Sequence, residues 1–220
     1  MNKKVFVVVV GVAMACVMAS GLIASNMGFK LNYPLAAVGA GSNSGTNVVA
    51  LPFNRQSGID TANALMNDMV LANVANVQRF LESTDGLETY TGRKGTPAAD
   101  FPLVAGEGYF VRMNAPIDYI VVGSHDPSLS ISLDGPGAGS NSGTNFFSAP
   151  YHTTSTTALD LMNDIGFASV QNIQRFLEAT DGLETYTGRK GTPAPNFNLV
   201  PGEAYFIRMG STVSYTPSHF

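Results

Sequence analysis

The side chains that most often carry chemistry are scarce in this chain and poorly placed for it. Cys16 is the only cysteine, and the histidines are His125, His152 and His219. Zinc needs three or four nitrogen, sulfur or carboxylate ligands that converge, and this set predicts no metal site. Ser124, His125 and Asp126 are consecutive, but adjacency along a chain is no evidence for the spatial relay of a serine triad. No Gly-x-Ser-x-Gly elbow occurs. Residues Gly92 to Thr96, and again Gly188 to Thr192, look briefly like a phosphate loop. Such a loop requires Gly-Lys-Ser/Thr opening a helix, whereas Arg93 interrupts the Gly-Lys pair and Pro97 stands where the helix would begin. Nucleotide binding is rejected, and no cofactor is expected.

Carboxylates and aromatics remain. Glu82, Asp85, Glu88 and Glu107 have counterparts in Glu178, Asp181, Glu184 and Glu203. A glycosidase sets two carboxyl groups about 5 to 9 Å apart across one cleft; recurrence of the whole set in two small units argues against a single shared cleft. Pairing with Arg79, Arg93 or Arg112 is the simpler role. Asp85 and Gly86 lack the further oxygen ligands of an EF-hand loop, which leaves weak calcium binding open. Tyr90 and Tyr109, matched by Tyr186 and Tyr205, could stack on a sugar or peptide beside the basic loop residues Arg93 and Lys94, matched by Arg189 and Lys190. These eight are the candidate ligand or partner contacts. Burial of the rings in a core competes with that role, because neighbours along a strand point to opposite faces.

The elements that position these residues come in two sets. Gly39 to Asn47 recurs unchanged as Gly137 to Asn145, and Phe80 to Ala98 recurs as Phe176 to Ala194 with one change, Ser83 to Ala179. This reads as tandem duplication, with units at residues 26–125 and 126–220. Each unit opens with apolar residues at every second position: Leu31, Tyr33 and Leu35 in one, Leu129, Ile131 and Leu133 in the other. That is the period of a half-buried strand. A short strand ends at Pro52 or Pro150. A helix follows, capped by Thr61 or Thr157. Strands at 76–81 and 87–91, and at 172–177 and 183–187, flank a turn at Asp85-Gly86 or Asp181-Gly182, where glycine readily takes positive φ. The strongest strand covers 106–113 or 202–209, followed in the first unit by 119–122. The predicted class is α+β, mostly β, each unit being a small antiparallel sheet or barrel of about five or six strands with one short helix.

Residues 1–25 carry Lys3 and Lys4 before an apolar run from Val5 to Ala19, with small residues near Ala24 and Ser25. That is the layout of a cleavable export signal. An uncleaved anchor is the competing reading, since about 20 apolar residues just span a bilayer; in that case the leader would be the chain's contact with a membrane. Lipidation at Cys16 lacks the leucine-like residue usually found upstream. Of the 220 residues, 12 are basic and 16 acidic, a net charge of −4. Losing Lys3 and Lys4 with the leader leaves 10 basic residues against the same 16, or −6. Such a surface disfavours nucleic acid. Loss of Cys16 leaves no thiol for disulfides or catalysis, and units of nearly 100 residues are large enough to fold without staples.

Three features carry a resemblance: Asn47 to Pro52 with Asn145 to Pro150, Thr61 to Leu65 with Thr157 to Leu161, and Gly106 to Arg112 with Pro201 to Arg208. The pattern resembles a module recurring in secreted and cell-surface bacterial proteins. It implies an exported, modular protein and brings no catalytic residues with it. Ala105 stands where the second copy has Pro201, and Ala149 where the first has Leu51. The expected function is non-enzymatic: an extracytoplasmic structural or interaction protein that self-associates, with strand 29–35 pairing to a neighbouring molecule as one route. The alternative is a secreted glycan- or peptide-binding module using exposed aromatics.

Overall fold

A computed structural model describes residues 28–55, 58–92, 99–124, 126–188 and 195–218. The leader, His125, His219 and the loop residues Arg93, Lys94, Arg189 and Lys190 lie outside them. Strands dominate. In the first half these are β1 (Phe29–Leu35), β2 (Thr46–Ala50), β3 (Asn54–Arg55), β4 (Val74–Leu81), β5 (Gly86–Tyr90), β6 (Gly108–Met113) and β7 (Ile117–Ser124), with helix α1 (Ala62–Asp68). The second half holds β8 (Ile131–Leu133), β9 (Thr144–Ser148), β10 (Val170–Leu177), β11 (Gly182–Tyr186), β12 (Ala204–Met209) and β13 (Val213–Tyr215), with helix α2 (Ala158–Ile165).

Each half folds into an antiparallel four-stranded sheet and a smaller sheet, not a closed barrel. The larger sheets have the orders β2-β6-β4-β5 and β9-β12-β10-β11; the smaller ones are β1-β7-β3 and β8-β13. Strand β1 pairs within its own chain along its whole length, from Phe29 opposite Gly123 to Leu35 opposite Ile117. Strand β8 keeps only three residues of the expected opening strand, so Leu129 falls outside it. At the hairpin turns the aspartates, not the glycines, take positive φ: 52° at Asp85 and 53° at Asp181. Aspartate tolerates this region because its short side chain bonds locally.

Alternation on the strands sends side chains to two different cores. From the first large sheet Val49, Val77, Tyr109 and Val111 face inward, where they meet Leu65 and Met66 of α1, the Met69 that caps its C-terminus, and Leu31, Tyr33, Tyr119 and Val121 of the small sheet. The other face contributes Val48, Ala50, Phe110 and Phe80 to a cluster shared with Phe146, Phe176, Ala204 and Phe206 of the second half. Both faces are therefore covered, unlike a sheet with one face in water. The helices are seated by their caps. Thr61 accepts the Ala64 amide at 3.2 Å, and Thr157 forms a reciprocal box with Asp160.

Buried asparagines fix the repeated polar loops. Asn47 takes the Ala36 amide on Oδ1 at 2.7 Å, and its Nδ2 donates to the carbonyls of Ala36, Gly45 and Val111. Asn145 repeats the pattern with Asp134, Gly143 and Ile207. Glycine is required between loop and strand: Gly45 has φ +80°, and a Cβ there would sit 2.8 Å from the Met113 carbonyl oxygen.

Candidate functional site

Where the two halves meet, the same contacts are made twice in opposite directions. Asn43 Nδ2 and Ser44 Oγ donate to the two carboxylate oxygens of Asp181 at 2.7 and 2.8 Å. Asn141 and Ser142 do the same to Asp85, at the same distances. The Asn43 amide bonds the Glu178 carbonyl, and the Asn141 amide bonds the Glu82 carbonyl. Ala50 N donates to Gly202 O at 2.9 Å, and Ser148 N to Gly106 O at 2.8 Å. Each polar loop thus clasps the hairpin turn of the opposite half. Reciprocity of this kind is the signature of an isologous, two-fold interface.

Phenylalanines fill the seam inside the clasps. Phe146 stacks on Phe110 at 4.8 Å and on Phe206 at 4.3 Å, with Phe80 and Phe176 edge-on to Phe206 and Phe110. Two open clefts flank this cluster. One, about 240 Å³, is lined by Arg79, Phe80, Glu82, Glu107 and Phe146. Its counterpart, about 360 Å³, is lined by Arg175, Phe176, Glu178, Glu203 and Val48.

The carboxylates in these clefts are partly desolvated. Glu82 is pushed up to about 7, first by burial and then by the neighbouring charges of Glu107 and Asp134, against a hydrogen bond from the Phe146 amide. Burial raises Glu178 and Glu203 too. Glu178 accepts the Val48 amide at 3.3 Å across the seam. Glu107 accepts the Tyr109 hydroxyl at 3.1 Å. The guanidinium of Arg79 is held on the far side of its strand, donating to Glu88 at 2.6 Å and lying over the Phe101 ring. Most of these groups therefore already answer one another. Among the described residues Glu82 is the cleft carboxyl raised furthest, and no group of three metal-ligating side chains occurs among them.

Two of the four tyrosines named from sequence present no stacking face. Tyr109 and Tyr205 are 0% exposed; alternation in β6 and β12 turns them inward, and each hydroxyl takes a backbone amide, Val104 or Val200, at 2.6 Å. Their place as ligand contacts is corrected accordingly. Tyr90 and Tyr186 are half-buried against the cores, and the Tyr90 hydroxyl donates to Asn63. The basic residues of the same candidate set lie outside the described residues. Sequence reasoning missed the seam itself. Its signal was the unchanged polar run 39–47 together with the unchanged turn around Asp85: Gly45 and Asn47 serve their own half, but Asn43 and Asp85 are exposed and no core demands their identity.

No protein-family description, curated protein or solved structure matches the chain.

Proposed function

We propose that the chain is an exported, non-enzymatic structural or cell-surface interaction protein built from two duplicated modules and able to self-associate. The observation that supports this reading is the reciprocal clasp: the unchanged polar residues Asn43, Ser44 and Asp85, with Asn141, Ser142 and Asp181, bond one half of the chain to the other. Burial of Tyr109 and Tyr205 weighs against the glycan- or peptide-binding alternative. The pairing of β1 with β7 inside one chain weighs against strand donation as the route of assembly.

Size-exclusion chromatography and electron microscopy of residues 26–220, beside a glycan and peptide hydrolysis screen, test the reading. Particles larger than one chain and no turnover are expected. Saturable turnover lost in a single carboxylate variant such as Glu82→Gln would overturn it, and so would a chain that stays monomeric at every concentration.

A further inference from the structure

The two faces of the seam are not identical, and the differences interlock. Gly108 lies on the first half's face and Ala204 at the matching position of the second. A Cβ on Gly108 would stand 2.3 Å from the Ala204 Cβ, closer than side chains approach, and 3.0 Å from the Phe146 ring, which would have to give by a few tenths of an ångström. Phe146 in turn matches Val48. The second half therefore carries the bulky pair, Phe146 and Ala204, and the first half the slight pair, Val48 and Gly108. Two second halves would drive Ala204 and Phe146 against a second Ala204. Two first halves would set Val48 over Gly108, leaving empty the space the Phe146 ring fills. Only first against second fits.

We infer that the seam is a matched coupling that selects a second half for each first half, and that its partner is also the second half of another copy of this chain. This rests on the assembly reading above and specifies its surface. Within one chain and between copies the contacts are the same: the clasps at Asp181 and Asp85, the backbone bonds at Gly202 and Gly106, the phenylalanine cluster. Which arrangement forms depends on the neighbour's concentration against the effective concentration of the tethered half, of order mM for a short connection. A first half engaging the next chain's second half is a head-to-tail contact, which closes into a swapped dimer or ring, or continues as a filament.

Ser83 and Ala179 are exposed, occupy matching positions beside the two turns, and lie outside the clasp hydrogen bonds. Residues 26–220 contain no native cysteine. Ala40 is exposed in the same polar loop, beside the Gly41 that lines one cleft with Ala179, and makes none of the clasp bonds, so three single-cysteine chains are informative: Ala40→Cys with an affinity tag, and untagged Ala179→Cys and Ser83→Cys. Tagged and untagged chains are unfolded in denaturant, mixed, refolded at about 1 mM or about 1 μM, and joined with a short bis-maleimide. Circular dichroism checks that each has refolded. Ala40→Cys with Ala179→Cys is expected to give tagged–untagged dimers at high concentration, at least tenfold more than at low concentration and at least tenfold more than Ala40→Cys with Ser83→Cys, which reports two first halves. Equal yields from the two mixtures would overturn the selectivity, and no dimer from either would overturn pairing between copies. Wild-type filaments seen without cross-links between positions 40 and 179 would leave the assembly reading standing while this coupling fell. Catalytic turnover with cross-links present would do the reverse.

Discussion

Glu82 shows how one side chain links two requirements. Its backbone carbonyl receives the Asn141 amide and its carboxylate the Phe146 amide, so both ends hold the second half, yet burial beside Glu107 and Asp134 opposes its charge. The folded group titrates near 7 and the unfolded one near the ordinary 4.5. Between those values the folded chain binds more proton than the unfolded one, so stability falls as pH rises through this window and the full penalty remains above it. Urea unfolding is expected to show a higher midpoint at pH 5.5 than at pH 8. Glu82→Gln should raise the pH 8 midpoint and flatten the slope. Some slope should survive, since Glu178 and Glu203 are raised in the same direction. A midpoint indifferent to pH in the unmodified chain would contradict this account.

Among the elements, the helices offer a controlled comparison. Thr61 and Thr157 cap equivalent helices, but only Thr157 faces an aspartate that returns the bond: Asp160 Oδ2 accepts the Thr157 amide at 3.0 Å, while Ala64 has nothing to return. Thr157→Ala should cost about 1 kcal/mol or somewhat more, and Thr61→Ala less; equal losses in denaturant melts would mean that the box adds nothing. The strands also show what a sequence displays. The elements on 46–50, 74–81, 86–90 and 108–113, with their counterparts, were legible because glycine, proline and Asp-Gly punctuate them. Strand β3, two residues long, has no pattern to read. The second opening strand shrank to β8 because its partner β13 is itself only three residues long, against the eight of β7. Alternation predicted that Tyr109 and Phe110 face opposite ways. It could not say that the second direction leads to another core, because Phe80, Phe110, Phe146 and Phe206 are ordinary core residues until the halves are brought together.

For the whole molecule, the seam decides whether the halves behave as one body. Gly108→Ala inserts a methyl group where 2.3 Å is available, and a cost of about 1–3 kcal/mol is expected from overpacking. Adding Ala204→Gly removes the 2.3 Å clash and should recover part of the loss, the rest staying with the Phe146 ring, 3.0 Å from the new methyl group. A double variant no more stable than the single one, measured in thermal or chemical melts, would place the strain elsewhere.

The clasp also changes what inheritance can do to this chain. Asn43 and Asp181 are 138 positions apart yet form one contact, and Asn141 with Asp85 form its mirror. A substitution in either loop is answered by the turn of the other half, not by its own. The halves are thus each other's selective environment, and drift at a turn should survive mainly where the opposite loop has changed to suit. Among descendants of this sequence, position 43 should covary with 181 and position 141 with 85, while the pairs 43 with 85 and 141 with 181 vary independently.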